Sequence, residues 1–244
     1  MYHLLGIDEQ IDFGFGITAE AYYEAAECLA KHDADLKSFQ LKTLPSSFLY
    51  RHSIELALKA LIIIFHRKLK LAYGDEAYQS QKPQVKVNAK WIPLSNCHFI
   101  DVLYDYWLKE LLLPHIDQLK SLGKDGCWEE NAEISRAISH IVEYDRKSSF
   151  FRYPIGENDK HELKKYEMQP VVNLEALFKS LNEKAGATNP KKFVMALKDS
   201  KGEIVRAYVK TNNPLEDIVT VLREVASYFN TFHFMTRFAL CKMM

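Results

Sequence analysis

The sequence predicts a mostly α protein, a bundle of four or five long helices with a loop insertion at 72–93 and a β-hairpin near 192–209. Apolar residues recur at helical spacing along most of the chain. With 48% hydrophobic and 12% aromatic residues, the 244 residues can build a sizeable core. We expect one domain over 1–244, with 214–242 as a C-terminal helix.

The first predicted helix begins with Thr18 as its N-cap and ends before the turn residues at 43–47. Its helical spacing is carried by the apolar positions Ala21, Tyr22, Ala25, Ala26, Leu29 and Leu36.

A second helix is predicted over 46–70, directly after Pro45. Apolar residues cover most of its circumference, which is typical of a fully buried helix; they are Phe48, Leu49, Ile54, Leu56, Leu58, Leu61, Ile62, Ile63, Ile64 and Phe65. Yet Arg51, Glu55 and Lys59 follow one another at i, i+4 and i+8 along the same helix. This polar stripe contradicts the apolar pattern around it.

Two interpretations of the stripe are open. If it is buried, its charges must pair with each other, reach a partner segment or line a cleft, because an unpaired buried charge costs several kcal/mol. His52 and His66, which flank the stripe, would then belong to the same polar region. Alternatively, the stripe is an ion-pair ladder on one solvated edge, worth about 0.3–0.5 kcal/mol per pair.

The segment 72–93 is polar, contains Gly74 and Pro83, and has no sustained period. It predicts a long surface loop with a short extended piece at 85–87.

A third helix is predicted over 98–122, kinked or split by Pro114.

A fourth helix is predicted over 129–148, after the glycines at Gly123 and Gly126. Two β-rich runs, 192–197 and 203–209, then flank a turn that contains Gly202 and predict a hairpin.

The last helix has a strong predicted start at Asn213, Pro214 and Glu216 and extends nearly to Leu240. It is rich in aromatic residues, which we interpret as core or dimer-interface residues rather than a base-stacking platform; they are Tyr228, Phe229, Phe232, Phe234 and Phe238.

Composition excludes several classes of protein. Lys plus Arg and Asp plus Glu both number 32, so no global charge attracts the chain to nucleic acid or to an anionic membrane. The four cysteines are far apart, and the N-terminus shows neither a basic start nor an apolar run, which favours a thiol-reduced cytoplasmic protein. The longest apolar run, 60–65, is far shorter than the roughly 20 residues that cross a bilayer.

Three segments carry a resemblance to HEPN domains. Residues 48–61, with Glu55 four positions before Lys59-Ala60-Leu61, resemble the second helix of that family. Residues 97–103 are similar to its His-containing segment that opens the next helix, here with His98. Residues 149–154 resemble its Arg-Tyr-Pro element, here with Arg152.

The three segments occur in the family's order and, with the first helix, cover roughly residues 18–180 as the bundle core. The resemblance implies an antiparallel helical bundle, frequently a homodimer, from prokaryotic conflict systems such as toxin–antitoxin pairs and phage defence. Many HEPN proteins are metal-independent ribonucleases, and others bind nucleotides or serve as interaction modules. The expected function is therefore that of a defence or toxin–antitoxin component acting on RNA, with a partner protein in the same system. The alternative is a non-catalytic module that binds a nucleotide or a protein and has a structural polar network.

Nuclease members carry an Arg followed by a His after four to six residues, late in the bundle. The nearest candidates here are Arg136 and His140, with three residues between them. A His can transfer the proton of a ribose 2′-OH, and an Arg can stabilise the charged phosphorane. Both would lie on one helical face, which is also a common arrangement on a solvated helix beside Glu133 and Glu143.

Arg152 follows two phenylalanines and precedes Tyr153 and Pro154, a setting that restricts its backbone. It could clamp a phosphate, or pair with Glu55 or Asp145. We expect one interior network, with nucleotide or phosphate binding as its possible role; its candidate residues are Arg51, His52, Glu55, Lys59, His98 and Arg152.

No metal or cofactor is expected. Cys97 next to His98, with Cys28 and Cys127 elsewhere, lacks the paired ligand spacing of a zinc site. Gly14 and Gly16 lack the remaining residues of a phosphate loop, and there is no nucleophile elbow.

Overall fold

The structure is a computed structural model, and it describes residues 6, 9–32, 43–123, 128–153, 165, 168–173, 175–176, 179, 194–210 and 215–241. Its helices are α1 (Phe15–Lys31), α2 (Leu44–Leu69), α3 (Ile100–Asp105), α4 (Ile116–Leu122), α5 (Ala132–Asp145) and α6 (Glu216–Cys241). Its strands are β1 (Gln84–Val87), β2 (Lys90–Pro93), β3 (Met168–Pro170), β4 (Val194–Lys198) and β5 (Ile204–Lys210). The prediction of a mostly α protein is confirmed.

Helix α2 lies at the centre of the fold and packs against α1, α3 and α6. Every residue from Ser53 to His66 is buried, as the apolar circumference of this helix predicts. Phe65 meets the rings of Trp107 and Trp128 at centroid distances of 6.3 and 6.0 Å. Phe229 and Phe232 of α6 complete this aromatic core, so part of the aromatic series in α6 packs inside the domain.

Helix α1 begins at Phe15, one turn before the predicted cap. Gly14 takes the left-handed conformation, with φ of 79°, and this allows the chain to enter the helix there. Thr18 lies inside the first turn, where its hydroxyl donates to the carbonyl of Gly14 at 2.8 Å. The predicted continuation of this helix to Leu36 lies outside the described residues.

The predicted third helix is divided. Helix α3 passes into a π-helical segment, Tyr106–Leu112, followed by a short 3₁₀ turn, Leu113–His115, and then by α4. Pro114 lies in the 3₁₀ turn, so the predicted break occurs at that residue. The periodicity of apolar residues did not indicate the π-helical segment, because a π-helix has only about one residue more per turn than an α-helix.

The segment predicted as a loop contains a small antiparallel hairpin, in which β1 pairs with β2 from Gln84↔Pro93 to Val87↔Lys90. Asn88 and Ala89 form its turn with φ of 48° and 65°. Such two-residue turns suit the twist of a hairpin, but Ala is an unusual residue for a left-handed position. Only the extended piece at 85–87 was predicted.

The predicted second hairpin is present, with β4 antiparallel to β5 and Gly202 in its turn at φ of 84°. Strand β3 adds to the other edge of β5, so the strand order is β3–β5–β4. This third strand was not predicted. The predicted start of the hairpin at 192–193 and the predicted cap of α6 at 213–214 lie outside the described residues.

Among the described residues, no helix combines the length and apolar character needed to cross a membrane.

Candidate functional site

The polar stripe of α2 is buried. Arg51, Glu55 and Lys59 expose 0%, 1% and 2% of their surface, so the interpretation as a solvated ladder is wrong. Nη1 of Arg51 donates to Oε2 of Glu55 at 3.2 Å, and Nζ of Lys59 donates to Oε1 of the same carboxylate at 2.9 Å. Glu55 is therefore the shared anion between two buried cations.

The guanidinium of Arg51 joins three parts of the chain. Its Nη2 donates to the carbonyl of His98 at 2.7 Å, just before α3. Its Nε donates to the carbonyl of Asp145 at 3.3 Å, at the end of α5, and lies 3.4 Å from Oδ2 of the same residue. The planar, multiply donating head of Arg suits this connecting role.

Asp145 is the second anion of the network. Its Oδ1 accepts hydrogen bonds from the backbone N–H groups of Ser149 and Phe150, at 2.7 and 3.0 Å. The sequence offered Asp145 only as a possible partner of Arg152; the structure pairs it with Arg51 instead. With Arg51 and Lys59 as cations and Glu55 and Asp145 as anions, the formal charges of the four groups cancel.

The Glu55 carboxylate remains ionised inside this environment. Burial alone would raise the pKa of Glu55, but the neighbouring charges of Lys59 and Arg51 and the hydrogen bonds from Lys59 and His98 offset it and hold the pKa below its ordinary value. The network thus contains a fixed negative charge that is available to orient a donor.

His98 is the point at which the network reaches solvent. Its side chain is 53% exposed, and its Nδ1 lies 2.9 Å from Oε1 of Glu55. Because a carboxylate only accepts, Nδ1 carries the hydrogen, and the free lone pair of a neutral ring is on Nε2. No described residue hydrogen-bonds to Nε2 of His98.

His52 lies on the same helix but outside the ladder. Its ring stacks on Phe48 at 5.7 Å and meets Tyr22 edge-on at 4.7 Å. Burial lowers the pKa of His52, and the positive charges of Lys59, Arg51 and Arg152 lower it further, against the raising effect of Glu55. His52 is therefore held neutral in an aromatic setting and does not bind a described anion.

Arg152 is not part of the buried network. It is exposed, its guanidinium lies 5.3 Å from the centre of the Phe48 ring, and its Nη2 is 3.5 Å from Oγ of Ser148. Within the described part of the chain it pairs with neither Glu55 nor Asp145. Its place in the network is taken by Arg51, and Arg152 is left at the surface beside Phe48 and His52.

The burial of three residues shows that part of the expected ligand-binding site is wrong. Arg51, Glu55 and Lys59 have their polar heads engaged and almost no exposed surface, so they cannot contact a phosphate in this conformation. Of the six residues expected to form a binding site, only His98 and Arg152 are exposed, and His52 is partly exposed.

Arg136 and His140 lie one turn apart on the outer side of α5. Arg136 is exposed, and its Nε donates to the carbonyl of Ala132 at 3.3 Å. The His140 side chain is 41% exposed, with its Nδ1 3.4 Å from Oε2 of Glu143 and its ring edge-on to Tyr144. Both side chains are accessible, as a site on this face requires.

Two further polar clusters were missed by sequence reasoning. Asp12, buried before α1, lies 3.0 Å from Nε2 of His233 and 3.1 Å from Nη1 of Arg237, both on α6. The sequence separation of 221 residues between Asp12 and His233 leaves no local pattern that could have shown this contact. The sequence signal for this contact was the presence of His233 and Arg237, two basic residue types, within the aromatic helix α6.

The other missed cluster surrounds His66. Its Nδ1 lies 2.8 Å from the carbonyl of Leu71 and its Nε2 lies 2.9 Å from the hydroxyl of Tyr106. Tyr73 stacks on the same ring at 3.9 Å. His66 was predicted to flank the stripe, but the structure places it in this separate aromatic cluster.

A groove of about 430 Å³ lies between the β1–β2 turn and the π-helical segment. Lys86, Lys109, Asp105 and Glu110 line it, and Tyr106 forms part of its wall. Its charges are mixed, with Lys109 already paired to Asp105 at 3.0 Å. None of the expected site residues lines this groove.

Within the described ranges, no three His, Cys, Asp or Glu side chains are grouped to hold a metal ion. Cys97 and Cys241 are buried, and burial raises the pKa of both thiols. Cys28 is exposed, whereas Cys127 lies outside the described residues.

Comparison of the chain with family models, with curated proteins and with solved structures gives no match. The function is therefore argued from the geometry of the sites.

Proposed function

We propose that this chain is a HEPN-like component of a prokaryotic defence or toxin–antitoxin system that acts on RNA in the cytoplasm and cleaves it without a metal ion. The observation that carries the proposal is that Arg136 and His140 reach solvent on one turn of α5. A His and an Arg are the two side chains that such a cleavage requires, for proton transfer and for the charge on the phosphorane.

The resemblance of three segments to HEPN domains supports the RNA substrate and the bundle. It also supports a homodimer, for which α6 offers a candidate surface. Phe234 and Phe238 lie one turn apart on that helix and are 50% and 55% exposed, while Phe229 and Phe232 are buried. Two exposed phenylalanines side by side favour an interface.

The test is cleavage of a mixed tRNA and mRNA pool by the purified chain in the presence of EDTA. We expect cleavage by the wild type, and its loss in Arg136→Ala or His140→Ala would assign the reaction to α5. Ser139→Ala is the matched control, because Ser139 is exposed on the same helix and its hydroxyl bonds only to the carbonyl of Ser135 at 3.1 Å. If the wild type leaves the RNA intact at high enzyme concentration, the proposed nuclease function is wrong.

Arg152→Ala belongs in the same series, because it separates the two candidate sites. Arg152 follows α5 in the chain and its guanidinium lies over the Phe48 ring of α2, whereas Arg136 and His140 are on α5 itself. Cleavage lost in Arg152→Ala but retained in His140→Ala would place the reaction at the exposed end of the polar network.

The second candidate function is that of a non-catalytic nucleotide-binding module. The exposure of Arg152 favours it, since its guanidinium can donate to a phosphate while Arg51, Glu55 and Lys59 hold the surface rigid from below. Equilibrium binding of ATP and of GMP to the wild type and to Arg152→Ala tests this function. Equal binding by the two proteins contradicts it.

A further inference from the structure

We infer that His98, held by Glu55, is the residue that accepts the ribose 2′-OH proton in RNA cleavage, and that the reaction takes place at the exposed end of the α2 network. The inference rests on the proposed RNA cleavage, and it assigns the base of that reaction to His98 in place of His140. It starts from four observations on His98 and its neighbours.

The first observation concerns charge. Arg51, Lys59, Glu55 and Asp145 neutralise one another without any contribution from His98. The hydrogen bond from His98 to Glu55 is therefore not needed to compensate a buried charge. What this bond does is fix which ring nitrogen carries the hydrogen.

The second observation concerns position. The main chain of His98 is fixed by Arg51, whose Nη2 donates to its carbonyl at 2.7 Å, and its ring is fixed by Glu55 at 2.9 Å. Both anchoring groups are buried on α2, a helix with a nearly continuous buried surface. Because buried groups hold both its main-chain carbonyl and Nδ1 of its ring, His98 is preorganised for proton transfer.

The third observation is the contrast with His140. The partner of the His140 ring is Glu143, at 3.4 Å, and the Glu143 side chain is itself 70% exposed. The partner of the His98 ring is a carboxylate with 1% exposure. Because exposed ion pairs are weak and mobile, only His98 has a firmly set tautomer and direction.

The fourth observation places a cation beside the same helix. Phe48, over whose ring the Arg152 guanidinium lies at 5.3 Å, is about two turns before Glu55 on α2. Arg152 is exposed and is held over the Phe48 ring. A phosphodiester contacting Arg152 can therefore approach the stretch of α2 that also orients His98.

In the reaction, Nε2 of His98 accepts the proton of a ribose 2′-OH while the 2′ oxygen forms a bond to the adjacent phosphorus. The bond from phosphorus to the 5′ oxygen of the next nucleotide breaks, and that oxygen takes a proton from water. The imidazolium then returns its proton to solvent. The products are a 2′,3′-cyclic phosphate and a 5′-OH end, and no metal or second reactant is needed.

Glu55 acts as a positioning residue in this scheme, because it touches the imidazole and not the substrate.

The experiment compares the wild type with His98→Asn, because the Asn amide can still donate to Glu55 but has no nitrogen that accepts a proton. We expect cleavage to fall by about 10²-fold or more. His32→Asn is the matched control, since His32 is also exposed and also uses its Nδ1, at 2.9 Å from the carbonyl of Cys28. It should cleave like the wild type.

Imidazole rescue of His98→Ala separates a catalytic role from a structural one. Restored cleavage on adding imidazole, together with cyclic phosphate ends on the products, supports the inference. Loss of cleavage without rescue, with thermal unfolding shifted relative to the wild type, means that His98 is structural and overturns it.

The remaining outcomes distinguish the inference from the proposed function. If the wild type cleaves and His98→Asn cleaves equally, while His140→Ala does not, RNA cleavage stands and the role of His98 is wrong. If the wild type does not cleave RNA, both are wrong. An all-2′-deoxy oligonucleotide should bind without being cut, and cutting of this oligonucleotide contradicts the 2′-OH mechanism.

Discussion

Arg51 and Asp145, which are 94 residues apart in sequence, meet inside the bundle through both the carbonyl and the carboxylate of Asp145. Oδ1 of Asp145 accepts from the backbone of Ser149 and Phe150, so one side chain holds the turn after α5 and the buried guanidinium together. Removing its charge leaves Arg51 with less compensation in a place that water does not reach.

We expect Asp145→Asn to lower the free energy of unfolding by about 3 kcal/mol, since it breaks one partner of a buried pair while keeping Oδ1 as an acceptor. Urea unfolding at pH 7, followed by circular dichroism, measures the change. Asp101→Asn is the matched control; it removes the surface pair with Arg146 at 3.1 Å and should cost less than about 1 kcal/mol. Equal losses in the two variants contradict the structural role of Asp145.

Because Glu55 and Lys59 are paired, we expect substitutions of the two residues to have non-additive effects on the free energy of unfolding. Lys59→Met alone leaves two buried anions against Arg51 and should cost about 3 kcal/mol. In the double variant Lys59→Met with Glu55→Gln, the charges of Arg51 and Asp145 balance again. We expect it to be more stable than the sum of the single losses by about 1 kcal/mol or more, measured by a double-mutant cycle of urea unfolding. Additive losses would mean that the two side chains are not coupled.

The central position of α2 could be predicted from the sequence because its apolar residues cover most of the circumference, which is typical of a buried helix. The burial of its charges could be offered only as one of two interpretations. The deciding partners, His98 and Asp145, lie 47 and 94 residues from Arg51, and no local pattern links residues at such distances.

The missed elements have a similar physical reason. Strands β1 and β2 have four residues each, and their turn uses Ala89 in a left-handed conformation that sequence statistics assign to Gly or Asn. Arg152 was placed in the network because its neighbours are aromatic. Its guanidinium in fact lies at the surface over the ring of Phe48, which belongs to α2 and is not one of those sequence neighbours.

His66 predicts a loss of stability in mild acid. Its Nδ1 donates to the carbonyl of Leu71, so Nε2 of the neutral ring accepts from the hydroxyl of Tyr106, and protonation of Nε2 would break this second contact. Burial lowers the pKa of His66 to about 4 from its ordinary value of 6.5, outweighing the hydrogen bond to Leu71, and nearby His115 lowers it slightly further. As the pH falls below 6.5, the unfolded chain therefore binds a proton at this residue that the folded chain does not bind. The free energy of unfolding falls as a result, until about pH 4.

Between pH 7 and pH 5 we expect His66 to account for a loss of about 2 kcal/mol in the free energy of unfolding. This window lies above the ordinary pKa of 4.5 for a Glu side chain, so carboxyl protonation contributes little. His66→Gln should reduce the loss by about that amount, whereas His32→Gln, at an exposed site, should leave it unchanged. An unchanged pH dependence in His66→Gln contradicts the neutral buried ring.

The side chains of Asp12 and His233 leave no room for a side chain at Gly16. A Cβ at this position would lie 2.1 Å from Cε1 of His233 and 2.6 Å from Oδ2 of Asp12, so even a methyl group must displace the buried ion pair. We expect Gly16→Ala to cost about 3 kcal/mol or more, from overpacking and from loss of the pair. The measurement is urea unfolding at pH 7.

Gly202→Ala separates this effect from backbone strain. Gly202 has φ of 84° and nothing within 4 Å of its added Cβ, so its substitution costs only the left-handed conformation, about 1–2 kcal/mol. Gly16→Ala should cost more, although Gly16 lies in an ordinary helix where Ala is otherwise favoured. In a His233→Ala background the added cost of Gly16→Ala should shrink, because the ring that the methyl group meets is gone. An unchanged cost in that background would mean that His233 is not what excludes a side chain at Gly16.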